Sequence, residues 1–189
     1  MTAYVHPSAV VGENFKPAPF TLIDAEVTVG DNVITGSFVH IRYAAHIADN
    51  VLLGDHLTIH DGTVIGAGSL IGDGAVIGRR PVAMLGAGSG AGTIPGAVLG
   101  ERCVVGARVI IAGACLLGDD VRVSDGASIA EGCAIGHGVA IGRNTVIGAD
   151  CSIADGIAVG NGAYVGEGAV VECDIPDAAV AVPSDDGSA

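Results

Sequence analysis

Residues 65–76 read Ile-Gly-Ala-Gly-Ser-Leu-Ile-Gly-Asp-Gly-Ala-Val, and residues 141–152 read Ile-Gly-Arg-Asn-Thr-Val-Ile-Gly-Ala-Asp-Cys-Ser. Each stretch is a pair of six-residue units that opens on an aliphatic followed by glycine and places a small residue four positions after the aliphatic. Outward from these stretches the aliphatic recurs every sixth residue, from Val5 to Ile77 and, after one break, from Leu99 to Val171. Of these 26 positions 24 are Ile, Leu or Val, the exceptions being Pro17 and Thr35, and glycine follows in 15 of the units. A fixed repeat overrides local propensity. A period of six matches neither the 3.6 residues of a helix nor the two of a long strand. It fits a short strand and a tight corner, with glycine supplying the corner angles and the aliphatic pointing into a narrow interior. Three units closing a triangle make one coil of a parallel β-solenoid. Residues 18 apart then lie above one another at about the 4.8 Å strand spacing, and the whole is about 40 Å long. Each coil buries its interior only against its neighbours.

The composition agrees with a narrow interior. The 189 residues include 31 Gly, three Phe, three Tyr and no Trp, yet half are hydrophobic and the mean hydropathy is +0.59. Small aliphatics must therefore supply the core. A net charge of −13 with a single lysine excludes wholesale nucleic-acid binding, which needs clustered cations to displace phosphate counterions. No uninterrupted apolar run reaches the roughly 18 residues of a membrane span. The opening MTAYVHPSAV carries no basic segment followed by an apolar stretch, so no signal peptide is expected. With five cysteines, an odd number, in a chain too long to need staples, reduced thiols and a cytoplasmic location are expected. Cys115, Cys133 and Cys151 are spaced one coil apart at the small inward position, and Cys103 occupies that position on another face. All four read as core packing rather than a metal or redox cluster.

The tandem aliphatic-Gly-x-x-small-x units resemble those of the hexapeptide-repeat family, over residues 5 to about 176 with one gap. The resemblance implies an all-β fold, a left-handed parallel β-helix with one inserted loop. The hand comes from the resemblance alone, because parallel crossovers are otherwise right-handed. Residues 38–47, FVHIRYAAHI, are similar to the N-terminal half of nucleotide-sugar N-acyltransferases of this family, which also open in the manner of His6-Pro7-Ser8-Ala9-Val10-Val11-Gly12. By that likeness the chain is expected to be an acyltransferase that moves an acyl group from acyl-CoA, such as acetyl-CoA, to an amino sugar or sugar nucleotide. The expected assembly is a homotrimer with its site in a groove between subunits, with a small-molecule amine as acceptor and no metal, nucleic acid or membrane. One domain is expected over residues 1–176, followed by an acidic tail, 177–189.

The step from Ile77 to Leu99 is 22 residues, three units plus four, so the phase shifts. Residues 79–96 are therefore read as an inserted loop, either a Gly-rich excursion or, as external loops do in this family, the wall of a pocket or a clasp on a neighbouring subunit. At the other end, many family members close with D-[IV]-P-x-x-x-[VI]-x-x-G-x-P-A-[KR], whose basic residue helps hold coenzyme A. Here Asp174-Ile175-Pro176-Asp177-Ala178-Ala179-Val180 begins that way and then runs into Ser184-Asp185-Asp186. The departure puts the usual donor site in doubt and motivates a second hypothesis, a non-catalytic β-solenoid scaffold.

The coil spacing places His137 in a column between Asp119 and Asp155. A histidine stacked between carboxylates would be held in one tautomer and kept basic. The stretch around it, Ile135-Gly136-His137-Gly138-Val139-Ala140-Ile141-Gly142, is similar to the segment carrying the catalytic histidine in several acyltransferases of this fold. His137 is thus the candidate general base, with Asp119 and Asp155 as orienting groups. The alternative is a plain surface histidine. A second column, Asp24, Arg42 and His60, reads either as a surface charge ladder or as a contact for substrate, since it leads toward the inserted loop. For the phosphates of coenzyme A the candidates are Arg79, Arg80 and Arg143. A zinc site of the carbonic-anhydrase type, which needs three converging histidines, is the third hypothesis; the spacing of His40, His46, His56 and His60 places them on different corners.

Overall fold

The computed structural model describes residues 3–80 and 95–183. Among these residues every regular element is a β-strand, and most strands are two residues long. They stack into three parallel sheets. The first has ten strands, from Tyr4–Val5 to Val180–Ala181; the second has nine, from Val10–Val11 to Val170–Val171; the third has seven, from Ile34–Thr35 to Ala158–Val159. The chain visits the sheets in turn, so the molecule is a triangular β-solenoid with three edges, and the all-β expectation holds.

Register partners lie one three-unit coil apart through most of the stack, as in Tyr4 with Leu22 and Ser128 with Val146. Two coils depart from this. Val64 pairs with Val98, far beyond the regular coil length, because the insertion leaves at the edge between the first and second sheets and returns to the same edge. The bulk of the expected loop, residues 81–94, lies outside the described residues. The last coil is two residues short: Tyr164 pairs with Val180, and the Asp174 and Asp177 carboxylates accept the N–H groups of Ala158 and Asn161 across 16 residues. Strand Val180–Ala181 therefore carries the solenoid past the boundary expected at residue 176. The segment that begins in the family pattern, with Asp174, Asp177 and Val180, is the one that closes this shortened coil, while the departure from that pattern at Ser184, Asp185 and Asp186 lies outside the described residues.

At each corner the backbone donors are accounted for. The residue three places after the aliphatic adopts positive φ, as at Asn14, Asn32, Asn50, Gly68 and Gly138, and its N–H reaches a carbonyl of the coil below, as Asn32 does to Glu13 at 2.8 Å. The N–H one place earlier would be orphaned. An Asp or Asn one coil up accepts it: Asp31 from Glu13, Asp55 from Ser37, Asp125 from Ala107, Asn161 from Arg143. Much of the net negative charge is thus part of the architecture. The glycine directly after the aliphatic does something other than what the sequence suggests. Except at Gly78, where the chain leaves for the insertion, its φ is not in the left-handed region; a Cβ on Gly54 would instead meet the backbone N of Asp73 at 2.9 Å. Close approach of the next coil selects glycine there.

The interior obeys a second rule. Inward hydroxyls and thiols donate to the carbonyl 15 residues on: Cys115 to Ala130 at 2.9 Å, Cys133 to Gly148 at 3.0 Å, Thr145 to Gly160 at 2.7 Å and Cys151 to Gly166 at 3.0 Å. Cys103, Cys115, Cys133 and Cys151 are buried among the aliphatics, as expected, while Cys173 is exposed. Thr63 breaks the rule. Its acceptor would be Gly78, where the chain turns off into the insertion with φ of 77°, and the Thr63 hydroxyl is buried with no partner among the described residues.

Candidate active site

Among the described residues, the edge between the first and second sheets gathers Asp24, His40, Arg42, His60, Asp61 and Arg80 in contacting pairs. Residues 24, 42 and 60 each follow the end of a first-sheet strand, so they stack in a column as the coil spacing requires. Their partners differ from a simple ladder. Asp24 accepts a hydrogen bond from Nε2 of His40 at 2.9 Å. Arg42 donates from Nη1 to Nδ1 of His60 at 3.1 Å, and its Nε lies 3.2 Å from Oδ1 of Asp61. Arg80 donates from Nη2 to the other Asp61 oxygen at 3.1 Å. On the same corner, the Tyr43 hydroxyl donates to Glu26 at 2.6 Å. That carboxylate raises the Tyr43 phenol above its ordinary value.

Asp61 occupies the corner position that elsewhere in the stack caps a backbone N–H, yet its carboxylate is turned to two guanidiniums. A pair of arginines sharing one carboxylate leaves N–H donors unused, in a protein whose charge is otherwise negative. Burial, and then the Arg42 charge, hold the His60 imidazole below its ordinary value. Beside this cluster opens a cleft of about 440 Å³, lined by Tyr43, Asp61, Arg80, Pro95, Gly96 and Val98 among others. Both ends of the insertion therefore border it.

His137 sits on a different edge, between the second and third sheets. Asp119, His137 and Asp155 do meet as the column predicts, but through the backbone. Nδ1 of His137 accepts the Asp119 N–H at 2.9 Å, and the Asp155 carboxylate accepts the His137 N–H at 2.7 Å. The Asp119 carboxylate is 3.7 Å from the ring, too far for a hydrogen bond. The imidazole thus substitutes for an aspartate in the corner ladder. With Nδ1 accepting, the neutral ring carries its proton on Nε2, so it presents a donor to solvent.

Within one chain, then, the structure brings Asp24, Arg42, His60 and Arg80 to one edge and His137 with its column to another. Arg79 also lies at the first edge, exposed, at the end of strand Val76–Arg79. Arg143 is on the third edge, where its backbone N–H donates to Asn161. The three arginines expected to hold coenzyme A are therefore not gathered by a single chain. Sequence reasoning missed the roles of His40, Asp61 and Tyr43. The available signal is the offset from Asp24 to His40 and from Glu26 to Tyr43, each falling just short of a full coil. Among the described residues no three His, Cys, Asp or Glu side chains converge as a metal site, and no helix is long and apolar enough to cross a membrane.

Two family models match the sequence. Bacterial transferase hexapeptide (six repeats) matches residues 44–79, and the hexapeptide repeat of succinyl-transferase matches residues 83–112 and 138–173. No curated protein matches. Among solved structures, the UDP-N-acetylglucosamine acyltransferase of Campylobacter jejuni is similar at 23% identity, over 91% of this chain and 68% of that one, with a TM-score of 0.54. The UDP-N-acetylglucosamine O-acyltransferase of Moraxella catarrhalis is similar at 21% identity, over 92% and 68%, with a TM-score of 0.57. The corresponding acyltransferase of Francisella novicida gives 19%, over 96% and 67%, with a TM-score of 0.55. At these identities the likeness is one of fold, the left-handed β-helix.

Proposed function

Because the chain belongs to the hexapeptide-repeat family, whose models together match more than half of it, we propose that it transfers an acyl group from acyl-CoA to an amino group on a sugar nucleotide. The observation that carries this reading is the first edge. Asp61, taken out of the corner ladder, holds Arg42 and Arg80 over a cleft, and their remaining N–H donors suit the phosphates that both co-substrates bring. The fold shared with three nucleotide-sugar acyltransferases supports the same substrate class. In this reading the column of Asp24, Arg42 and His60 lies at the acceptor, Arg42 and His60 facing it, and Arg79 and Arg80 face the donor.

Assembly as a homotrimer in the cytoplasm belongs to the proposal. In a trimer the second edge of one subunit reaches the first edge of its neighbour, where His137 contributes its Nε2–H to the developing oxyanion and Arg143 lies outside the groove. Asp119 and Asp155 keep the ring in place through the ladder. The test is release of free thiol from acetyl-CoA and longer acyl-CoAs in the presence of amino-sugar nucleotides, alongside calorimetric titration with coenzyme A. Acceptor-dependent thiol release with micromolar binding is expected. Neither release nor binding would leave the scaffold as the function.

A further inference from the structure

We infer that the proton acceptor of this chain is Nδ1 of His40, with the Asp24 carboxylate as the group that positions it. The inference rests on the acyl-transfer reading and deepens it. A general base needs an unprotonated nitrogen directed away from its own structural bonds, and an orienter that fixes the tautomer and offsets the charge that forms. Among the described residues, His40 alone of the six histidines hydrogen-bonds a carboxylate through its ring: Nε2 lies 2.9 Å from Oδ2 of Asp24. A carboxylate only accepts, so Nε2 must carry the hydrogen, and the lone pair of the neutral ring is on Nδ1. Among the described residues Nδ1 has no partner, and the side chain is 37% exposed.

The other five histidines are arranged otherwise. His6 uses Nδ1 on Ser8, and His56 stacks on Phe38 at 4.9 Å between ring centres. His60 spends Nδ1 on Arg42 and His137 spends it on a backbone N–H. His46 has no side-chain partner among the described residues, so nothing fixes its tautomer. The position of His40 fits the task. It stands on the outer face of strand His40–Ile41, two residues before Arg42, and its register partner in the next coil is Thr58, two residues before His60. His40 therefore stands beside the edge whose guanidiniums would hold the acceptor.

The step balances without any further reactant. The neutral amine attacks the thioester carbonyl carbon, a C–N bond forms, and Nδ1 of His40 takes the amine proton. The C–S bond then breaks, and the imidazolium, held against Asp24, returns its proton to the leaving thiolate. An amide and free coenzyme A result.

The experiment uses the full chain with three variants, His40→Gln, Asp24→Asn and His137→Asn. Long-range proton–nitrogen spectra of the wild type are expected to show His40 with its hydrogen on Nε2. Asp24→Asn is expected to lose that single tautomer and to lower kcat by about 10-fold or more with KM little changed, as befits a positioning residue. His40→Gln is expected to lower kcat by about 100-fold or more, the usual scale of a general base, while coenzyme A still binds. A His40 ring protonated on Nδ1, or a His40→Gln turnover within about twofold of wild type, would overturn the assignment and leave acyl transfer standing. A wild type that moves no acyl group to any acceptor would overturn both. His137→Asn, which keeps the ladder acceptor, separates loss of the oxyanion donor from loss of the base: it is expected to keep the His40 tautomer unchanged.

Discussion

The Asp119 N–H donates to Nδ1 of His137 at 2.9 Å, and the His137 N–H in turn donates to the Asp155 carboxylate at 2.7 Å. One ring and one carboxylate therefore do for successive coils what Asp49 does for Asp31 and Asp73 does for Asp55. The column fixes where these three residues sit, and the corner's need for an acceptor fixes how the ring points.

His137→Ala should therefore cost stability as well as turnover. The loss of one exposed acceptor is expected to lower the unfolding free energy by about 0.5–1.5 kcal/mol, and His137→Asp, which restores the oxygen acceptor used elsewhere, should recover most of it. Urea melts of the two variants decide this. Equal stability of His137→Ala and wild type would mean that the ladder bond contributes nothing at this coil.

The pH dependence of stability should carry the mark of His60. Burial, followed by the Arg42 and Arg80 charges against the opposing pull of Asp61, holds its imidazole below the ordinary 6.5. Just below that pH the unfolded chain binds a proton that the folded chain does not. Stability therefore falls as pH drops from about 6.5 to the depressed folded value and stays level beneath it. His60→Gln should flatten that part of the profile. Denaturant midpoints for both proteins between pH 7.5 and pH 5 provide the comparison, and parallel profiles would contradict the burial assigned to the ring.

Of the five thiols, one should react in the native protein. Burial pushes Cys103 up to about 11 and raises Cys151, and the neighbouring Cys115 thiol, with burial, raises Cys133. Cys115 is shifted the other way, lowered by its hydrogen bond with Cys133, but like the other inward thiols it is buried and tied to a carbonyl of the next coil, which leaves exposed Cys173 as the accessible thiol. Titration with a disulfide reagent near pH 8 is expected to count one thiol per chain, and five after denaturation. More than one in the native state would show that the inner column opens readily.

These expectations also show how far the sequence could be read. The period of six identifies the aliphatics that are buried from Ile23 to Val171, with Val5 and Val11 of the open first coil left exposed, and the columns that it predicts are real wherever a coil is regular. The columns could not reveal side-chain direction. Asp24 and Arg42 stack, yet Asp24 turns to His40, because a long or ring side chain reaches diagonally across coils as easily as straight up. The corner role that the sequence suggests for glycine also belongs two positions further on. Left-handed backbone is tolerated at that corner even by Phe20, Phe38 and His56, whose rings stack at 4.6 and 4.9 Å. Close approach between coils depends on the neighbouring chain segment, which local sequence does not display. The short last coil was hidden for a related reason: Asp174 and Asp177 read as family-pattern or acidic-tail residues until their carboxylates are seen capping N–H groups 16 residues back.

That dependence on neighbouring segments gives a paired test at glycine. Gly54→Ala puts a Cβ against the backbone N of Asp73 at 2.9 Å and against its side chain, so the coil above must shift, at an expected cost of about 1–3 kcal/mol. At Gly138, where φ is 66° and nothing lies within 4 Å of a new Cβ, alanine should cost only the left-handed backbone, about 1–2 kcal/mol, and asparagine less. Thermal or urea melts of Gly54→Asn and Gly138→Asn separate the mechanisms. Asparagine should relieve the loss at 138 and worsen it at 54.

The insertion leaves its own mark on the core at Thr63. In a regular coil the inward hydroxyl donates to the carbonyl 15 residues on, as Thr145 does to Gly160 at 2.7 Å. At Thr63 the would-be acceptor belongs to Gly78, which is bent into the exit of the insertion, and the buried hydroxyl has no partner among the described residues. A buried donor without an acceptor costs free energy that an isosteric methyl would not. Thr63→Val is therefore expected to be neutral or stabilising by up to about 1 kcal/mol, and Thr145→Val to be destabilising by about 1 kcal/mol, since there a satisfied bond is removed. Valine already fills comparable inward positions at Val27 and Val33, both fully buried, so the pair differs in hydrogen bonding rather than in fit. Urea unfolding of both variants reads the sign directly. A destabilised Thr63→Val would mean that the Gly78 carbonyl, or a group from residues 81–94, accepts the hydroxyl in solution.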